Sequence, residues 1–529
     1  MQRRDFIYAV ICSAASFSTN GQAHSIKQGA EIGIEEADLS VLMDKLKKGS
    51  LTSLALCQFY LNRIKRFDKE GPALNSVIEL NPDALNEAAV LDKERAEGKM
   101  RGPLHGIPVL IKDNIATADR METTAGSLAL VGIKPLRDAG IVVRLRKAGA
   151  IILGKTNLSE WANMRSPRST SGWSARGGLT LNPYALNRNC SGSSSGTGAA
   201  ISAGLAALGV GTETDGSIVS PASICGLVGI KPTIGLVSRS GIIPIAHSQD
   251  TAGPMTRTVA DAAALLEVLA GEDRRDPETV KAKIRRAPGG YLSALDEHAL
   301  QGKRIGVARN FFGFHDEVDA VIEQALAVLK AKGAVLIDPV EVPNVSKYAE
   351  SELQVLLYEF KAGLQAYLDQ TIPGRSIHSM ADVIAFNENN KSKELPHFAQ
   401  EFLIQANAKE GLDSEAYLQA VATNRRYSRE EGIDQIMKSQ RLDAMVAPTG
   451  GPAWVNDFIN GDHSGNGFST PAAVAGYPHI TVPAGFVHGL PVGLSFVGEA
   501  FSEARLIGMA YAFEQATHHR KPPGFIPVI

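Results

Sequence analysis

Apolar residues recur at three- and four-residue steps across residues 35–66, where Leu39, Leu42, Met43 and Leu46 share one face. The same period returns over 82–98, opening at Pro82 after Asn81. Both stretches predict surface helices with charged outer faces. From Ile107 the texture changes. Pro108-Val-Leu-Ile111 is a short, continuous apolar run that predicts a buried strand. Residues 141–148 read as a helix, and Ile151-Ile-Leu153 as the next buried strand.

Residues 197–210 are almost all small and apolar. A helix over this stretch has no polar face, so it must be buried on all sides. Ser193-Ser-Ser-Gly196 then lies at the start of that helix, where backbone N–H groups lack intrahelical partners. Between about 271 and 302 the chain turns charged and loop-like. A strand (304–308), a helix (315–332) and a strand (335–338) follow, then a longer, more polar helical stretch over 346–440. Apolar texture returns at 442–448 and 475–483. Strands alternating with helices indicate an α/β protein. The expected organisation is one large core, built from about 100–270 and 440–529, with 346–440 as a helical flank or lid.

The length of 529 residues makes domain number a real question, and the absence of internal repeats favours one large unit. The composition is that of a globular protein, with 44% hydrophobic and 21% charged residues. A net charge of −2 favours neither nucleic acid nor an anionic membrane surface. No 18-residue apolar run exists to span a bilayer. The N-terminus differs from the rest. Met1-Gln-Arg3-Arg4-Asp-Phe6 begins with twin arginines, an apolar stretch follows over 7–17, and Gly21-Gln-Ala23 has the form of a cleavage site. This order predicts an export signal over 1–23 and a mature chain of 24–529 working in the periplasm or outside the cell, the cytoplasm being the alternative.

Cys12 would leave with the signal, and Cys57, Cys190 and Cys225 fit neither a zinc site nor a redox pair. They read as small packing residues. The 12 histidines show no ligand pattern, and His105 and His247 read as structural. No metal or cofactor is expected.

Three positions carry chemistry. Lys112 follows four apolar residues, so its amine can enter a buried site at a strand end. Keeping a lysine neutral near pH 7 costs roughly 4–5 kcal/mol against its usual pKa, a cost that suits only an amine put to use. Ser193 begins a small-residue loop whose alternatives are a helix cap or a phosphate cradle, but Gly-Lys-Ser/Thr is missing. Ser217 follows Asp215-Gly216, a tight turn that can aim successive N–H groups at one point.

Taken together, these residues resemble the amidase signature family of serine hydrolases. The matching stretches are Gly106-Ile-Pro-Val-Leu-Ile-Lys-Asp-Asn114, Gly154-Lys-Thr-Asn-Leu-Ser-Glu-Trp161, and Gly192 through Ser217. Others are Gly229-Ile-Lys-Pro-Thr233, Asp250-Thr-Ala-Gly-Pro254, Ala447-Pro-Thr449 and Leu490-Pro-Val-Gly493. Ser193 and Ser217 also keep the family's separation of 24 residues. The resemblance covers essentially the whole mature chain and implies a single-domain α/β fold with a central mixed β-sheet flanked by helices.

It further implies Ser217 as nucleophile, Ser193 as bridging serine after a cis Gly192–Ser193 peptide, and Lys112 as base. Backbone N–H groups of Thr214, Asp215, Gly216 and Ser217 would hold the oxyanion, with Gly192 and Ser194 in support. Two departures stand out. Ser191 occupies a position where the family usually has glycine, and Val219-Ser220 replaces a stretch where arginine is common. Within the family, Gly172-Trp-Ser-Ala-Arg-Gly-Gly178, the 156–165 and 211–219 stretches and Leu356-Leu-Tyr-Glu-Phe-Lys-Ala-Gly363 are most similar to bacterial peptide amidases.

The expected reaction is hydrolysis of a carboxamide to acid and ammonia, with a peptide or small-molecule amide as the only partner, in a monomer or homodimer. Alternatives are a general amidase for aliphatic, aryl or amino-acid amides, the amidase subunit of a tRNA-dependent amidotransferase, and a catalytically silent binding protein. Trp161 and Trp173 are candidates either for the pocket or for the core. Substrate-contacting residues stay unassigned.

Overall fold

The structure, a computed structural model, describes residues 33–283, 287, 289–371 and 376–529. The expected signal over 1–23 therefore lies outside the described residues. One mixed sheet of eleven strands runs through the molecule. In chain order its first members are β1 (Val77–Leu80), β2 (Pro108–Lys112) and β3 (Ile151–Thr156). A small separate hairpin follows, β4 (Trp173–Ser174) with β5 (Gly178–Leu179). The sheet resumes with β6 (Leu208–Glu213), β7 (Val228–Lys231), β8 (Thr251–Thr256), β9 (Arg304–Ala308) and β10 (Val335–Val340). It ends with β11 (Ala444–Pro448), β12 (His479–Val487) and β13 (Leu490–Val497).

Across the sheet the order is β1-β3-β2-β6-β8-β7-β12-β13-β11-β9-β10. Strands β3, β2 and β6 pair in parallel, whereas β8, β7, β12 and β13 join antiparallel. All five residues of β2 and all six of β3 and β6 are buried, as strands covered by helices on both faces require. This is the single-domain α/β architecture, with a mixed sheet flanked by helices, that the sequence predicts.

The helix expected over 197–210 is shorter than predicted. It spans Ser195–Ser202, and the chain then becomes β6. Gly204, at φ +65°, ends the helix in the left-handed conformation, and Leu205 N–H closes back on the carbonyl of Ala200. A uniformly apolar stretch cannot reveal such a boundary, because a buried helix and a buried strand have the same composition.

Residues 346–440 are helical as expected, led by the helix Ala349–Leu368. Its Leu357, Phe360 and Leu364 pack against Trp161, Ile243 and Ile245 beside the parallel strands. Arg165 ties the two regions together. It is fully buried, pairs with Glu160 at 2.8 Å, donates to the Phe398 carbonyl at 2.9 Å, and lies over the Trp173 and Phe398 rings. Trp161 and Trp173 thus serve the packing between core and flank. Cys57, Cys190 and Cys225 are buried, which suits their reading as small packing residues, and all three are free thiols.

Phe360 is completely buried in the seam between flank and core. Phe360→Ala is expected to cost about 3–5 kcal/mol, read as a lowered denaturant midpoint in equilibrium unfolding.

Candidate active site

Two parallel strands and one helix deliver the nominated residues to one end of the sheet. β2 ends at Lys112, and β6, parallel to it, ends at Glu213, so residues 214–217 continue from the same edge. The helix Ser195–Ser202 precedes β6 and runs the opposite way, which returns its N-terminal loop and Ser193 to that edge. Open α/β sheets place ligands at the carboxyl ends of their parallel strands for this reason.

The loop is pinned from several sides. The Gly192–Ser193 peptide is cis. The Ser193 carbonyl accepts from Ser159 N–H at 3.1 Å, and Ser194 N–H donates to the Ser217 carbonyl at 3.2 Å. The Ser194 hydroxyl donates to Thr212 O at 3.0 Å and accepts from Thr212 N–H at 3.2 Å, joining the loop to β6. Close packing excludes larger residues here. A methyl group on Gly196 would lie 2.3 Å from Ser76 O, and one on Gly209 would lie 2.6 Å from Ile201.

Lys112 is fully buried, and its Nζ bonds Ser193 Oγ at 2.7 Å, Thr212 Oγ1 at 2.9 Å and Thr212 O at 3.2 Å. Burial lowers its pKa from 10.5 to about 7, against an opposite pull from the charges of Asp250 and Glu213. A neutral amine can accept one hydrogen bond while donating two, so Ser193 can give its hydroxyl proton to Lys112. Asn114 donates to Thr212 Oγ1 at 3.0 Å and so orients the hydroxyl beneath the amine.

The turn after β6 is held by carboxylates. Glu213 Oε2 accepts from Ile218 N–H at 2.7 Å and Val219 N–H at 3.0 Å. Asp250 accepts from the Thr214 hydroxyl at 2.6 Å and from the N–H groups of Ile245 and Ala246. Gly216 turns at φ +74°, where a side chain would be strained. Among the described residues, none of the N–H groups of Thr214, Asp215, Gly216 and Ser217 donates to another protein group. Lys112 and Ser193 have no exposed surface, whereas Ser217 keeps 6% of its own. The hydroxyls of Ser193 and Ser217 are not joined by a hydrogen bond in this structure, so the direct contact is between Lys112 and Ser193.

A cavity of about 390 Å³ opens beside this site, lined by Gly192, Asp215 and Gly216, the neighbours of the two serines. Its other walls include Asn163, Trp454, Asp462 and Asn466. The two departures from the family pattern meet here. Ser191, at φ +57°, bonds its hydroxyl to that of Ser220 at 2.7 Å. The left-handed backbone explains why glycine is usual at this position, and the serine found here has its hydroxyl satisfied by Ser220. His105 is buried against Leu91 O, a structural role as expected.

Sequence reading did not single out Asn114, Thr212, Glu213 and Asp250 individually, although all four lie in or next to the quoted motifs. It also missed Trp454 and Asp462, which stand in an irregular segment without periodicity.

Ser217, which keeps a small accessible surface where Lys112 and Ser193 keep none, should react with a fluorophosphonate probe. Labelling is expected to rise with pH through about 7 as Lys112 loses its proton, and to fall about 10²–10⁴-fold in Lys112→Ala. Mass spectrometry of the labelled peptide reads both effects.

The family profile of amidases matches residues 55–507. The native peptide amidase from Stenotrophomonas maltophilia is 52% identical, with a TM-score of 0.87, over 93% of this chain and 99% of that one. An Arabidopsis thaliana protein named as an amidase is 41% identical over 98% of this chain and 97% of its own length. One subunit of the glutamyl-tRNA(Gln) amidotransferase from Moorella thermoacetica is 34% identical over 91% of this chain and 97% of its own length.

Proposed function

This chain belongs to the amidase family of amide-hydrolysing enzymes, and from that premise we propose that it cleaves an unsubstituted carboxamide, the C-terminal amide of a peptide, through Lys112, Ser193 and Ser217. The observation that carries the reading is the hydrogen bond between the fully buried Lys112 and Ser193, beside four N–H groups that no protein group engages among the described residues.

In the proposed sequence, neutral Lys112 takes the Ser193 proton while Ser193 takes that of Ser217. Ser217 Oγ attacks the amide carbon, and the carbonyl oxygen becomes an oxyanion held by the N–H groups of residues 214–217. The proton returns through Ser193 to the amide nitrogen, the C–N bond breaks, and ammonia leaves. Water then attacks the acyl-enzyme by the same relay, releasing the acid and restoring Ser217.

Two observations support a peptide as the acyl part. The cavity beside the site is walled by hydrogen-bonding groups, among them Asn163, Ser171, Asp462 and Asn466. Asn163 Oδ1 is a buried acceptor without a donor, a place for a peptide N–H. The likeness to peptide amidase at 52% identity points the same way. We also propose that residues 1–23 direct export, so that N-terminal sequencing of the exported protein would begin near His24.

The test is a panel of peptide amides, aryl amides and small aliphatic amides, followed by mass spectrometry and ammonia release. Peptide amides are expected to be converted to acids with the highest kcat/KM, and Ser217→Ala is expected to abolish conversion. Wild-type turnover in Ser217→Ala would overturn the mechanism, and a clear preference for aryl amides would overturn the substrate assignment.

A further inference from the structure

The turn leading to Ser217 contains a carboxyl group that the proposed proton relay does not use. Asp215 Oδ2 accepts from the Thr470 hydroxyl at 2.7 Å, while Oδ1 is buried with no donor. Facing it is Glu352, from the first turn of the helix Ala349–Leu368 in the flank. Gln249 Nε2 donates to Glu352 Oε1 at 2.9 Å and approaches the Thr214 carbonyl at 3.4 Å. The two carboxyl groups are themselves within hydrogen-bonding reach. Two carboxylates cannot bond each other, so one must carry a proton. A protonated Glu352 supplies a donor to Asp215 Oδ1, for which the Ser469 hydroxyl is the other group in reach.

We infer that Glu352 is a positioning residue, and that the proton it shares with Asp215, together with the Gln249 bridge, holds residues 214–217 in shape to receive an oxyanion. The inference rests on the proposed role of that turn and extends it to the helical flank. An aspartate beside an oxyanion site is electrostatically unfavourable. Sharing one proton spreads a single negative charge over the pair and the Thr470 hydroxyl, whereas losing it places two negative charges beside the developing one.

The groups facing the pair come from four places. They are Lys231 at the end of β7, Tyr348 just before the helix, Ser469 and Thr470 after the 449–468 segment, and Gln249. Burial is the main force raising both carboxyls, with Glu352 carried to about 8, while Lys231 and the hydroxyls oppose the rise at Asp215. Loss of the shared proton therefore removes activity as pH rises through about 8. This is opposite in sign to Lys112, whose deprotonation gains activity through about 7. The descending limb belongs to the pair rather than to either residue.

The experiment compares pH profiles of kcat and KM for wild type, Glu352→Gln and Glu352→Ala, with a peptide amide as substrate and Ser217→Ala as control. Wild type is expected to lose roughly tenfold in kcat one pH unit beyond the descending midpoint. Glu352→Gln, which donates from the same place without titrating, should restore the activity that Glu352→Ala loses and lack the descending limb. Glu352→Ala should lower kcat more than tenfold with KM changed by less than about threefold.

Infrared difference spectra of wild type against Glu352→Gln supply a readout independent of turnover. A protonated carboxyl band is expected near pH 7 and should vanish by about pH 9. An unchanged descending limb in Glu352→Gln, or no protonated carboxyl near pH 7, would overturn the inference even if Glu352→Ala fails to fold. A Ser217→Ala variant that still turns over would overturn the reading of the site itself, which keeps the two failures distinct.

Discussion

Removing the Lys112 ammonium from water is the constraint on which the rest of the structure depends. Moving that amine from a pKa of 10.5 to about 7 corresponds to about 5 kcal/mol of lost preference for the charged form. Three features together maintain it. Strand β2 is sealed between two parallel neighbours, the small-residue helix Ser195–Ser202 covers its end, and Thr212 offers the amine oxygen partners without a full charge. A single water path to Nζ would restore the ammonium, which has no lone pair with which to accept a proton.

The same dry interior acts on every other charge nearby. Burial also lowers Lys155 and Lys231 to about 8 and raises Asp250 to about 6. Glu213 is raised by burial and pulled back by Lys231 and by two N–H donors from the following turn. The carboxylates that shape the turn thus sit close enough to hold Ser217 in place, and each is offset by a lysine, a hydroxyl or an N–H group. The geometry of the proposed site and its charge balance come from one set of residues, so neither can be altered alone.

The core was legible in the chain wherever burial is continuous. The strand at 108–111, the helix at 141–148 and the strand at 151–153 stand where periodicity puts them, because apolar runs between polar turns leave little choice. The boundary inside 197–210 was not legible, since a buried helix and a buried strand share one composition and only the conformation of Gly204 separates them. Lys112, Ser193 and Ser217 could be singled out because spacing within motifs is a local property. Glu352, Trp454 and Asp462 could not, because they reach the site from 135 or more residues away across irregular or flanking segments. The meeting of Ser191 with Ser220 belongs to the same class: two local oddities become one interaction only in three dimensions.

The glycines at 196 and 209 carry a consequence for how such a protein can diversify. Each is closed in by backbone or buried side-chain atoms at distances that no added methyl group can meet. The region that fixes the serines is therefore frozen against stepwise change, since nearly any substitution there needs a compensating one elsewhere. The far wall of the cavity, from 450 to 467, is mostly irregular chain, where a methyl group on Gly450, Gly451 or Gly467 would meet nothing closer than 3.3 Å. If the proposed function holds, natural drift and laboratory evolution would explore new amides by rewriting that wall while the proposed reacting centre stays unchanged. Division of labour between an immutable chemistry and a replaceable recognition surface is built into the distribution of small residues.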